Sequence, residues 1–197
     1  MTRDASAEAG SRARDLLPEA AASVSEAVAL VPEDAWGNPS PCEGWSVRDV
    51  LNHLTSEHLW APRLLAGDTI ADVGDAYEGD VLGADPRASW KAAVARSMLA
   101  WAQASDEGRE LQMSFGPCTV GEYAQQMLVD LVVHGWDVAR GAGVVFDPPA
   151  DAVEEALHYA ASMADPDGVP GLFAAPVETS SEDRLDVLVA LLGREPA

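Results

Sequence analysis

The chain predicts an all-α helical bundle. Three observations carry that reading: apolar residues recur at helical spacing in six stretches, the connections are rich in Gly, Pro and Asp, and a single short segment alternates like a strand. With 197 residues, 48% of them hydrophobic, the chain can fill one sizeable core. A single domain over 1–197 is expected, with a bundle core over about 14–165 and a C-terminal extension over about 166–197.

Leu17, Ala20, Ala21, Val24, Val28 and Val31 line one face of a first helix that Pro32 closes. The Gly- and Pro-rich stretch from Trp36 to Trp45 reads as a loop anchored by its two tryptophans. Ser46 is placed to cap a second helix, with Asp49 in its first turn. That helix should run from about Val47 to Leu65 and stop at Gly67, kinked or shortened by Pro62. Between Gly67 and Asp85 lies a long acidic loop of the kind that borders sites. Asp85-Pro86 opens a third helix striped by Trp90, Val94, Ser97, Met98 and Trp101. Leu111 to Cys118 reads as an isolated extended segment. Thr119 and Glu122 form a capping-box pattern at the head of a fourth helix, the most apolar, which runs to about Arg140. Asp147-Pro148 starts a fifth helix that carries Val153, Ala156, Leu157, Ala160 and Ala161. After a loop over Gly168 to Pro176, Ser181 caps a last short helix with Leu185, Leu188, Val189 and Leu192 inward.

Twelve basic against 33 acidic residues give a formal charge of −21, which opposes binding to nucleic acid and to anionic membrane surfaces. No stretch approaches the ~20 apolar residues of a membrane span, and the N-terminus lacks a signal-peptide pattern, so a cytoplasmic protein is expected. Cys42 and Cys118 are too far apart in sequence for a zinc knuckle or a redox pair, and two buried or half-buried free thiols are expected.

The chemistry concentrates on the fourth helix. Asp130 and His134 stand four residues apart, on one face, with Cβ atoms roughly 6 Å apart. Their neighbours Met127, Leu128, Val129, Leu131, Val132, Val133 and Trp136 predict burial, and a buried carboxylate must be paired, protonated or bound to a cation. One answer is a divalent metal held by this pair and a third ligand from another helix. The other is a polar cluster in which Asp130, His134 and His53 bond to one another without metal.

For the third ligand the second helix offers His53 among Val50, Leu51, Leu54 and Leu59. Two imidazoles and a carboxylate would leave coordination positions open, as catalytic zinc and non-haem iron sites do. Glu57, one turn on, is a candidate for an extra ligand, a hydrogen-bond partner of a ligand, or a base. His58 points about 100° away from Glu57. Cys42 precedes the helix by too much to join His53, Asp137 is expected to pair with Arg140 or to support His134, and His158 is expected on the surface.

Three segments carry a resemblance. Ser40-Pro-Cys-Glu-Gly-Trp-Ser-Val-Arg-Asp-Val-Leu-Asn-His53, Asp130-Leu-Val-Val-His-Gly-Trp-Asp-Val-Ala-Arg140 and the terminal run from Arg184 through Gly193-Arg194-Glu-Pro196 resemble the actinobacterial metal-binding proteins related to mycothiol-dependent maleylpyruvate isomerase. The resemblance implies a DinB-like four-helix bundle with an extra helix and a short C-terminal helical tail. It also implies a metal held by His53, Asp130 and His134, with Asp130 standing where the isomerase has Glu. The tail is closer to an uncharacterised sub-branch than to the isomerase.

The expected function is therefore a metal-dependent S-transferase or isomerase that uses a low-molecular-weight thiol, mycothiol, on a small electrophile. The expected metal is Zn2+, with Ni2+ or Fe2+ as alternatives, and the protein is expected as a monomer or homodimer. Two other readings keep the metal: a noncatalytic binding or sensor module, and a hydrolase in which a zinc-bound water, its pKa lowered to about 7, acts with Glu57 as base.

Overall fold

The computed structural model describes residues 2–113, 116–169 and 173–196. Helix α1 spans Thr2–Leu30, α2 Val47–Ala66, α3 Ile70–Val73 and α4 Pro86–Gln103. Strands β1, Glu110–Met113, and β2, Gly116–Thr119, precede α5, Val120–Ala142, α6, Ala150–Met163, and α7, Arg184–Leu191. Helices α1, α4, α2 and α5 pack in that cyclic order as a four-helix bundle. Helix α6 lies against α1 and α5, and α7 against α6. This is a DinB-like helical fold. Among the described residues, no helix is long and apolar enough to cross a membrane.

Helix α5 is the central element because almost every position from Val120 to Ala139 is apolar or small and becomes buried. Its close approach to α1 depends on two glycines: a Cβ on Gly10 would fall 2.4 Å from the Gly121 Cα. Near the other end of α5, a Cβ on Gly141 would lie 3.0 Å from the Pro39 carbonyl oxygen and 2.7 Å from Val47 Cγ2. The bare Gly141 thus lets the Trp36–Trp45 loop and the start of α2 settle onto α5, and that contact brings α2's functional residues opposite α5's.

Helix α2 is built as its sequence suggests at the start. Ser46 and Asp49 close a reciprocal capping box, and Gly67 ends the helix at φ 101°. Pro62 does not shorten it: the helix continues to Ala66, since Ala61 and Leu64 are buried on either side of the proline and packing outweighs one missing backbone bond.

Several boundaries differ from expectation. The acidic loop contains α3, capped by Thr69 and Asp72, and is sewn to α2 by Asn52, which donates to the Gly79 carbonyl and accepts from Val81 N–H. The expected isolated segment is an antiparallel hairpin, β1 on β2, because Leu111 and Cys118 face each other in register and both bury their side chains. At α5 only the Thr119 half of the capping box forms, and the helix runs two residues past Arg140 to the positive-φ Gly143. Helix α6 starts at Ala150 without a side-chain cap, not at Asp147-Pro148, because Pro149 pushes Pro148 out of the helical region. Asp183, not Ser181, caps α7, and Ser181 instead donates to Asp186.

Candidate metal centre

Packing α2 against α5 brings His53, Asp130 and His134 together. One donor atom from each lies within 4.8 Å of the other two. His53 Nε2 is 3.9 Å from Asp130 Oδ2, and the two imidazole centroids are 5.0 Å apart with planes at 81°. Donors bound at about 2.1 Å around a tetrahedral zinc stand about 3.4 Å apart, so small side-chain rotations would close the set on one ion. The chemistry of this donor set, two nitrogens and one oxygen, fits zinc or another first-row divalent metal.

Asp130 is less buried than its neighbours in sequence predict. Its side chain is 26% exposed and that of His53 29%, whereas His134 is 10% exposed. Val129 and Leu131 lie about 100° to either side on the helix and bury against the core, so the apolar context never closes over Asp130 itself. The cluster is open to solvent on that side. The fully buried carboxylate of this region is Asp137, at 0% exposure.

Asp137 makes the bonds that orient His134. Its Oδ2 accepts from His134 Nδ1 at 2.9 Å and from Arg194 Nη2 at 3.0 Å, while Arg194 Nε reaches Oδ1 at 3.4 Å. An ionised carboxylate only accepts, so the His134 proton sits on Nδ1 and Nε2 keeps its lone pair for a metal. The expected Asp137–Arg140 pair does not form: Asp137 faces inward, whereas Arg140 is exposed and lies over the Trp136 ring at 5.5 Å.

Burial lowers the His53 pKa. The Asp130 charge opposes this and His134 adds to it, so the imidazole is neutral and able to coordinate near pH 7. Glu57 Oε1 lies 4.0 Å from His53 Nδ1, and its carboxyl is pushed up to about 7, first by burial and then by the Asp130 charge. It is a proton acceptor poised near neutrality at the edge of the cluster. His58 faces away, fully buried, its Nδ1 2.9 Å from Ser97 Oγ; His158 is exposed.

Besides Arg194, sequence reasoning missed two neighbours. Trp45, 36% exposed, stacks over His134 at 6.2 Å and meets His53 edge-on at 5.3 Å, forming an aromatic wall. Cys42, set aside because it could not reach His53 along α2, folds back beside the other histidine, its Sγ within 4.8 Å of donors on His134 and Asp137. A cation in that second trio would face the Arg194 guanidinium, and burial raises the Cys42 thiol pKa, so the trio is a poor metal site.

A DinB-like bundle with an open His/Asp/His cluster between two of its helices defines the class of protein. The family model of the mycothiol maleylpyruvate isomerase N-terminal domain matches residues 17–139, and the chain belongs to that family. Uncharacterized proteins from two strains of Mycobacterium tuberculosis are each 28% identical over 136 residues, covering 60% of this chain and 51% of theirs. The chain thus spans about half the length of the curated relatives it matches. Crystal structures of mycothiol-dependent maleylpyruvate isomerase and of a histidine-to-alanine mutant superpose with TM-scores of 0.56 and 0.57. They share 20% and 19% identity with this chain and cover 79% of it and 70% of their own chains, a likeness of fold.

Proposed function

We propose that this chain is a cytoplasmic, metal-dependent S-transferase or isomerase that joins a low-molecular-weight thiol, mycothiol, to a small electrophile. The observation that carries the reading is the convergence of His53, Asp130 and His134 with donor atoms within 4.8 Å of one another and open to solvent on one side. Family membership supports mycothiol as the thiol.

The three side chains would hold a divalent cation, Zn2+ before Ni2+ or Fe2+, which when bound lowers the pKa of a coordinated thiol and so supplies a thiolate at neutral pH. The residues of the chain account for the rest. Neutral His53 and the Nε2 lone pair of His134 bind, while Asp130 brings the negative charge that offsets the cation. Trp45 shields one side of the cluster from water. Glu57 takes the proton as the S–H bond breaks and returns it to the electrophile as the S–C bond forms, so the sum is the addition of a thiol. In the isomerase variant of this scheme the same proton is taken back as the S–C bond breaks.

The test is thiol consumption. Purified zinc-loaded protein incubated with mycothiol and a panel of activated alkenes, epoxides and maleyl-type acids should accelerate loss of free thiol or isomerisation of an alkene. Glu57→Gln should retain zinc and lose most of that rate. No acceleration with any electrophile, with zinc bound at one equivalent, would overturn the catalytic reading and favour a binding module.

A further inference from the structure

We propose that Arg194, on the segment that follows α7, is a positioning residue for His134 and acts through Asp137. The inference rests on the reading of His134 as a metal ligand, and it assigns a role to a residue outside the family-matched region 17–139.

Arg194 and Asp137 are 57 residues apart, and both are buried, at 6% and 0% exposure. The guanidinium grips both carboxylate oxygens, Nη2 on Oδ2 and Nε on Oδ1, while its Nη1 donates to the Leu192 carbonyl at 2.8 Å. That third bond ties the guanidinium to its own backbone, so the fork has one orientation. With both oxygens held, the Asp137 carboxylate cannot turn about its last torsion, and the lone pair on Oδ2 stays aimed at His134 Nδ1. The chain of bonds therefore fixes both the ring plane of His134 and the nitrogen that carries the proton.

A buried charge pair is weak evidence for stability, since an apolar pair of the same volume often packs as well. Its link to a third group that needs one tautomer points to orientation as the purpose. Helix α7 packs on α6 and α6 on α5, so the tail is delivered to the back of the centre by the extra helices of the fold. The C-terminal extension is thereby part of the site.

The experiment compares zinc affinity, by competition with a chelating dye, and the His134 tautomer, by long-range proton–nitrogen correlation spectra of metal-free 15N-histidine protein. The variants are Arg194→Met, Arg194→Lys and the double variant Asp137→Asn/Arg194→Met, which strands no charge. Loss of such a partner weakens metal binding by about 10–100-fold. Arg194→Met and the double variant should show that loss together with mixed His134 tautomers, and Arg194→Lys should recover part of both. Arg184→Ala removes a different tether of α7, the pair with Glu154, and should leave both readouts unchanged.

Wild-type tautomer and affinity in Arg194→Met, or an equal loss in Arg184→Ala, would overturn the positioning role. If wild-type protein binds no zinc, the metal reading falls, and the tautomer comparison alone decides the relay.

Discussion

His58 offers a test of how firmly α2 is held in the bundle. It is fully buried, its Nδ1 is paired with Ser97 Oγ on α4, its Nε2 has no partner among the described residues, and the Trp90 ring meets it edge-on at 5.1 Å. A protonated imidazole there would bury a charge and an unpaired N–H, and burial accordingly lowers its pKa from 6.5 to about 3. The unfolded chain binds the proton first as pH falls, so stability is intact above about pH 6.5 and drains away between 6.5 and 3. At about 1.4 kcal/mol per pH unit, the loss from this one group reaches about 2 kcal/mol by pH 5. Urea unfolding of metal-free wild type and His58→Asn, followed by circular dichroism at pH 7.5, 6 and 5, measures it. The stability difference between the two proteins should shift by about 2 kcal/mol against wild type between pH 7.5 and pH 5. Parallel pH profiles would refute the argument and mean that His58 is reached by water or by a partner that stabilises its charged form.

Other outcomes follow from the same geometry. Glu57 has a folded pKa raised from 4.5 to about 7, so metal-free protein should lose stability as pH rises through that window, and Glu57→Gln should flatten the slope. Ser46→Ala removes the α2 cap and should lower unfolding stability by about 1 kcal/mol, measured in urea at pH 7.5. Gly141→Val would drive a side chain into the Pro39 carbonyl and Val47, so it should weaken zinc binding by displacing the Trp36–Trp45 loop while α5 stays helical by circular dichroism. Trp45→Ala should leave zinc stoichiometry intact but raise the KM for thiol, read from initial rates at varied thiol concentration.

The bundle was legible because its signals are local. Helical periodicity marks α1, α2, α4 and α5, and Asp85-Pro86 or Thr119 marks their starts. Boundaries shifted where two local rules competed, as at Pro148-Pro149, or where a long-range partner decided, as in the hairpin that pairs Leu111 with Cys118. At the site, the i, i+4 spacing of Asp130 and His134 was visible, and so was His53 on an apolar helix. Whether the helices would face each other was not, because that depends on Gly141 meeting a loop about a hundred residues earlier. Nor was the Asp137–Arg194 bond: Arg140, three residues from Asp137, was the nearer cation in sequence, and only the inward face of Asp137 rules it out. The apolar neighbours of Asp130 misled in the other direction, since they bury themselves without burying it.

Metal content tests the His53, Asp130 and His134 centre at its root. Protein purified without added metal or chelator, in wild-type form and as His53→Ala, Asp130→Ala and His134→Ala, should be assayed by plasma mass spectrometry alongside circular dichroism. A three-residue centre should yield about one equivalent of a divalent first-row metal in wild type and a small fraction of that in each variant, all four proteins remaining helical. Metal-free wild type that takes up no added zinc, or variants that keep the wild-type content, would contradict it.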